Sequence, residues 1–167
     1  LAIAETAGLP AHISHIKLYG ASVWGLSEAL LKTLDSARSR GLDITWDLYP
    51  YTASCGHIHI LLPQWFQEGA PEDVRARCRE PAARSRAAGE LKDRLLKMYE
   101  GDGARIVIAA SPEPDLAGRT LAEVSAAAGR SASASDMAET ILDYVARQPK
   151  PYTTYCVYHA INEDDMR

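Results

Sequence analysis

The 167-residue sequence holds a single Phe and only three cysteines, Cys55, Cys78 and Cys156, none of them in a C-x-x-C pair. So few and so scattered, they exclude a disulfide framework and a cysteine-built zinc knuckle. Long apolar runs are missing too. None approaches the roughly 20 residues needed to cross a bilayer. The opening residues, LAIAETAGLP, have neither the basic start nor the apolar core of a signal peptide. Cationic excess is absent: 18 Lys and Arg stand against 22 Asp and Glu, a net charge of -4. The arginines between Arg75 and Arg94 are interleaved with acids instead of forming a basic field. Nucleic acid and membrane are therefore not expected partners. On the visible residues a reducing, cytoplasmic setting is expected, although Leu1 in place of Met leaves room for an upstream segment with its own export signal.

What is present is an ordinary globular composition, 47% hydrophobic and 24% charged. Residues 1–7 read as the tail of a helix stopped by Gly8 and Pro10. Ala11 to Ile16 reads as a short buried strand. A helix with Leu26, Ala29, Leu30, Leu34 and Ala37 on one face follows, capped by Ser22 or Ser27 and stopped by Gly41. Ile44 to Tyr51 is a second strand, and strand, helix, strand with Gly at the helix exit predicts a parallel βαβ unit. The stretch after Tyr51 is too long for a tight connection and is expected to be a functional or inserted element. Pro71 to Glu100 predicts two helices broken near Glu80-Pro81. The apolar run RIVIAA, Arg105 to Ala110, is expected as a third strand of the same parallel sheet, buried on both faces. Two more helices, Gly118 to Ala128 and Ser133 to Arg147, a fourth strand, Tyr152 to Tyr158, and a helix beginning at Asn162 complete the reading. The class is α/β. Without a Gly-rich phosphate loop after the first strand, a barrel is preferred to an open doubly wound sheet. The units are too few to close one.

In such a protein chemistry gathers at the C-terminal ends of strands. The first strand carries His12 and His15, which on an extended chain point to opposite faces. The second ends in Asp47, Tyr49 and Tyr51, which share a face by alternation. A carboxylate in an apolar strand must be paired, bound or exposed, and the pattern leaves open whether Asp47 braces a neighbouring strand or serves a ligand. His57 and His59 form an H-x-H pair in the long segment, expected to be loop or lid and not a metal site. His159, just past the fourth strand, has a structural and a pocket reading side by side.

The block HISHIKLYGASVWGLSEALLKTLDSARSRGLDITWDLYPYTAS resembles the heart of the N-acyl-D-amino-acid deacylase, or D-aminoacylase, branch of the amidohydrolases. The shared pattern is Ser14-His15-Ile16-Lys17, Gly20, Trp24-Gly25, Arg40-Gly41 and Asp47 to Ala53. A fainter likeness runs through Leu61-Leu62-Pro63, Ala117 to Glu123 and Asn162 to Met166. The resemblance implies that residues 1–167 are part of a TIM-like (β/α)8 catalytic barrel, about strands 5 to 7, with 55–103 as a loop and helical insertion. It implies one or two zinc ions, with His15 as a ligand and the Tyr49 position, where some members carry His, in question as another. His12 is then structural or supports the ligands. Tyr51, Ser111 and Arg119 are implied substrate contacts, Arg119 through a bidentate pair with the substrate carboxylate. The remaining zinc ligands and the general-base Asp are expected outside these residues, so no catalytic residue is assigned within them.

The expected function is hydrolysis of the amide bond of small N-acyl-D-amino acids by zinc-activated water. A related D-residue dipeptidase or cyclic amidase, or a non-catalytic fragment of the same fold, is the alternative. The isolated chain is expected to be inactive, and open strand edges would favour self-association.

Overall fold

The structure is a computed structural model describing residues 1–148, 150 and 152–167. The chain divides into two compact units, one of Leu1–Thr52 with Ile161–Arg167 and one of Ala53–Ala160.

In the first unit, helix α1 (Ala2–Ala7) ends at Gly8, whose φ of 63° is the left-handed conformation that glycine supplies at a helix exit. Strand β1 (Ala11–Ile13), helix α2 (Ser27–Ser39) and strand β2 (Ile44–Trp46) follow. The strands pair in parallel with Ala11 opposite Ile44 and Ile13 opposite Trp46, as the βαβ pattern predicted. Leu34, Ala37 and Ile44 are buried between them, flanked by Ile13, Ile16, Leu30 and Trp46. The strands are shorter than the sequence suggested, but pairing continues past them: Ile16 donates to the Asp47 carbonyl at 2.9 Å and Asp47 donates to that of Ile13 at 3.2 Å. Ser22 and Ser27 do not cap α2. Ser27 is its first residue, and the Asp165 carboxylate accepts from the amides of Gly25 (2.8 Å) and Ser27 (3.3 Å). The helix expected from Asn162 is a single 3-10 turn, Asp164–Met166, held to that task.

The second unit corrects the sequence reading. RIVIAA is not a third parallel strand. Strand β4 (Ile106–Ala110) and strand β3 (Ser54–His57) lie antiparallel on either side of β5 (Tyr155–Tyr158). Ile106 and Ile108 are buried while Ala109 and Ala110 are exposed, the one-sided burial common in antiparallel sheets. Four helices complete the unit: α3 (Pro71–Arg79), α4 (Pro81–Tyr99), α5 (Leu121–Ala127) and α6 (Ala134–Arg147). The expected break at Glu80-Pro81 is there, and the Glu80 carboxylate caps α4 by accepting from the amide of Ala82 at 3.0 Å. Thr120 and Glu123 form a reciprocal capping box on α5, and Ser133 caps α6.

Helices α4 and α6 pack through Ala87, Leu91 and Leu95 on one side and Met137, Ala138 and Ile141 on the other. Arg84 of α4 reaches Glu139 (2.9 Å) and Asp143 (2.7 Å) of α6, and Arg130 also holds Asp143. Burial pushes the Asp143 carboxyl upward, but the two guanidinium groups outweigh it and hold it below the ordinary carboxylate range. Gly103 lies where a Cβ would run into Met137 Sδ and come within 2.9 Å of the Ala122 amide nitrogen. Overpacking of this kind costs about 1–3 kcal/mol. Gly103→Ala is therefore expected to lower the unfolding midpoint by several degrees in a thermal melt, and an unchanged midpoint would show that α5 and α6 give way freely.

Candidate metal and substrate residues

The first unit concentrates its chemistry on Asp47. Strand β1 ends at Ile13, and the chain then turns through His15 at a φ of 55°, a left-handed conformation uncommon outside glycine. The turn removes the alternation that would send His12 and His15 to opposite faces, so both reach the same carboxylate. His12 Nε2 lies 2.9 Å from Asp47 Oδ2, and its Nδ1 lies 2.7 Å from Thr45 Oγ1. The His15 amide donates to Asp47 Oδ1 at 2.6 Å, with the His15 ring nitrogen Nδ1 3.3 Å from the same oxygen. The His12 hydrogen bond first, then the His15 amide, hold the Asp47 carboxyl below its ordinary value. Asp47 thus stands as a carboxylate bracing two imidazoles. Thr45 was missed there, although its place two residues before Asp47 puts it on the same face.

The His15 side chain is 65% exposed, and with Nδ1 turned to Asp47 its Nε2 is on the outer edge of the ring. A carboxylate behind an imidazole fixes the tautomer that leaves the other nitrogen as a lone-pair donor, the usual arrangement behind a metal-ligating histidine. The chemistry of His15 therefore fits one zinc ligand. Among the described residues no group of three or more His, Cys, Asp or Glu side chains could hold a metal ion, so these residues do not make a complete zinc site.

Tyr49 packs beside His15 with ring centroids 5.6 Å apart, and Lys17 Nζ lies 5.0 Å from the Tyr49 centroid. Burial, and secondarily the nearby Tyr19, push the Tyr49 phenol above its ordinary value. Tyr49 thus stands as an aromatic wall beside the His15 ring. Tyr51, 67% exposed, stacks loosely on Tyr49 at 6.2 Å. Beside them a cavity of about 250 Å³ is lined by Ile16, Lys17, Leu34, Trp46 and Tyr49.

In the second unit, Ser111 Oγ is 2.7 Å from Tyr144 Oη and accepts from the Glu113 amide at 3.0 Å. Glu113 is paired with Arg147 at 3.0 Å. Arg119 has an exposed side chain, and its backbone extends the β4 edge by accepting from the Ile108 amide at 2.9 Å. His57 and His59 are not in a loop or lid. His57 ends β3 and stacks on Tyr155 at 4.2 Å; His59, 4% exposed, lies in the following 3-10 turn against Tyr152 at 4.6 Å. The turn buries Ile58, Leu61 and Leu62, and those side chains carry His59 inward with them. His159 has an exposed side chain; its amide donates to the Arg105 carbonyl at 2.8 Å.

No protein-family profile matches the chain. Over 64 residues it is 38% identical to the N-acyl-D-glutamate deacylase of Alcaligenes xylosoxydans xylosoxydans, a match covering 38% of this chain and 12% of that protein. Its fold is similar to that of D-aminoacylase solved with copper chloride, with a TM-score of 0.60 and 22% identity over 98% of this chain. It is also similar to that of N-acyl-D-glutamate deacylase of Bordetella bronchiseptica in complex with zinc and a phosphonate inhibitor, with a TM-score of 0.57 and 22% identity. The chain spans 24% of the length of each of these two structures. The comparisons thus agree with the family that the Ser14–Lys17 and Asp47–Ala53 blocks resemble.

Proposed function

We propose that the chain is part of a metal-dependent deacylase that hydrolyses the amide bond of N-acyl-D-amino acids. The observation that carries the reading is His15, set at the end of β1 and backed by Asp47 within the block that resembles the deacylases. Likeness to an N-acyl-D-glutamate deacylase over 64 residues and to the fold of D-aminoacylases supports it. In this reading β1 and β2 are two neighbouring strands of a TIM-like barrel, within its strands 5 to 7. The second unit, Ala53–Ala160, is an inserted element larger than the 55–103 segment the sequence suggested.

His15 would hold zinc through its outer ring nitrogen, and Asp47 keeps the ring in the tautomer that leaves that nitrogen free to ligate. Zinc, when bound, polarises the amide carbonyl and supplies hydroxide at neutral pH. One or two ions satisfy the reading. Tyr49 walls the His15 ring, Tyr51 and Ser111 offer hydroxyls to the substrate, and Arg119 offers its guanidinium to the substrate carboxylate. The general base and the other ligands lie outside residues 1–167. The partner is a small molecule: the net charge of -4 gives no attraction to nucleic acid, and no helix among the described residues is long and apolar enough to cross a membrane. The cytoplasm is the proposed location.

The full-length protein is expected to release acetate from N-acetyl-D-amino acids and to lose that activity on chelation, recovering it with zinc. The 167-residue chain supplied with zinc is expected to show no turnover, because such hydrolysis needs about three protein ligands to the metal and a positioned base. Undiminished hydrolysis by the metal-free full-length protein would overturn the reading. A related D-residue dipeptidase or cyclic amidase would show itself by preferring D-dipeptides or cyclic amides in the same assay.

A further inference from the structure

Strands β1 and β2 carry different chemistry on their two faces. Ala11, Ile13, Ile44 and Trp46 pack with Leu34 and Ala37 of α2. Alternation sends the residues between them, His12 and Thr45, to the other face, where the parallel register sets them directly opposite each other. Asp47, two residues past Thr45, continues that face, and the pairing of its backbone with Ile13 and Ile16 keeps it in line with the strands. Parallel strands in α/β proteins are commonly apolar on both faces. Here one face is instead a polar string: Thr45 Oγ1 lies 2.7 Å from His12 Nδ1, His12 Nε2 lies 2.9 Å from Asp47 Oδ2, and Asp47 Oδ1 lies 3.3 Å from His15 Nδ1.

The carboxylate end of the string has a fixed direction. A carboxylate only accepts, so the His12 nitrogen facing Asp47 carries the hydrogen, whichever role Thr45 takes at the other nitrogen. With both nitrogens engaged, the His12 ring cannot turn about its Cβ–Cγ bond without losing two hydrogen bonds. Asp47 uses its two oxygens separately: Oδ2 accepts from His12, and Oδ1 accepts from the His15 amide at 2.6 Å. Holding Oδ2 therefore settles the carboxylate torsion, and with it the place of Oδ1 beside the His15 ring. A pair that only joined β1 to β2 would need no such reach. Thr45 already stands opposite His12, yet the His12 ring extends past it to the carboxylate two residues on.

We infer that His12 and Thr45 are positioning residues that act through Asp47: by fixing the carboxylate torsion they hold the His15 ring in the tautomer that offers its outer nitrogen as a ligand. The inference rests on the reading of His15 as a zinc ligand. In that reading the face turned away from α2 is the interior of the barrel, and the string supports the site from the layer beneath its mouth. Partners behind a ligating imidazole set its orientation and basicity, and His12 and Thr45 extend that support by one and two further links.

The test uses the full-length protein and reads the ring nitrogen NMR shifts of His15 in the metal-free state together with the zinc dissociation constant, measured by competition with a chelator. Tautomers are compared at about pH 8.5, where imidazoles are neutral. In the unaltered protein Nδ1 of His15 is expected to carry the hydrogen. His12→Leu removes the donor to Asp47 while keeping bulk, and is expected to mix the two tautomers and to raise the zinc dissociation constant about tenfold. His12→Gln, which can return an N–H to Asp47, should recover most of both. Thr45→Val, one link further out, is expected to raise the constant about threefold, and Thr45→Ser, which keeps the hydroxyl, to leave it unaltered. On an Asp47→Ala background His12→Leu is expected to add nothing, because it acts only through that carboxylate. A merely structural pair would lower the unfolding midpoint with tautomer and zinc affinity unmoved, or would weaken zinc binding equally with and without Asp47. Either result overturns the inference and leaves the reading of His15 as a ligand intact. Zinc affinity unchanged in His15→Ala overturns both.

Discussion

Alanine at position 15 of the full-length protein is expected to abolish tight zinc binding and to lower kcat/KM on N-acetyl-D-amino acids by more than about a hundredfold. The scale comes from the partners that stand behind metal ligands, whose loss alone costs about 10- to 100-fold; removing the ligand itself must cost more. His15→Ala deletes an exposed imidazole that Asp47 backs at Nδ1, leaving Nε2 on the outer edge of the ring. The remaining partner, His12, spends Nε2 on Asp47 and Nδ1 on Thr45, so it has no nitrogen left to substitute. His57→Ala and His59→Ala are the controls. Their rings are stacked on Tyr152 and Tyr155, and metal content is expected to stay at the unaltered level in both. Elemental analysis of the purified variants decides it: equal loss of zinc in all three would show that His15 has no special part.

The parts of this structure that were legible in the sequence are those written in local chemistry. Gly8 and Gly41 mark helix exits because only glycine enters the left-handed region there without strain, at φ 63° and 89°. Glu80-Pro81 separates α3 from α4 because proline tolerates the first turn of a helix and not its interior. The β1–α2–β2 unit followed from alternating periodicities, and its parallel pairing from the helix between the strands.

What was not legible depends on partners distant in sequence. The apolar run of β4 reads the same whether its neighbour runs parallel or antiparallel, and its neighbour on the sheet is β5, beyond two helices. Strand β3, with the sequence Ser-Cys-Gly-His, has no β-branched residue to announce it and is a strand because β5 supplies its hydrogen bonds. The candidate site shows both cases. Asp47 was visible as a carboxylate that needed a partner, but the turn at His15 that brings two histidines to it was not, because it rests on a backbone conformation that histidine rarely adopts. Asp165 likewise caps α2 from the far end of the chain, where no sequence window around Ser27 would find it.

Acidification from pH 7 to pH 5 is expected to cost the 167-residue chain about 2 kcal/mol through His59 alone. Its ring is 4% exposed, and burial, with a smaller contribution from neighbouring His57, pushes its pKa down from 6.5 to about 4. The unfolded chain, with an ordinary imidazole, binds a proton that the native state refuses over this interval. Stability is therefore full above pH 6.5, falls as the pH drops towards 4, and levels off below it, where both states are protonated; the whole span is worth about 3 kcal/mol. Arg75 lines the same small cavity and would repel an imidazolium, His57 would do so when charged, and Tyr152 offers a ring face. The depressed carboxylates Asp136 and Asp143 act with the same sign but at lower pH, since their stabilising charge is lost only as the pH falls below their ordinary value of 3.8. Measuring unfolding free energy by urea at pH 7 and pH 5 thus separates the two effects. His59→Leu fills the same space with no titrating group, and the difference between the two pH values is expected to shrink by about 2 kcal/mol in that variant relative to the unaltered chain. A variant as acid-sensitive as the unaltered chain would show that His59 opens to water before it is protonated, and that the 3-10 turn between Ile58 and Leu61 unfolds locally at little cost.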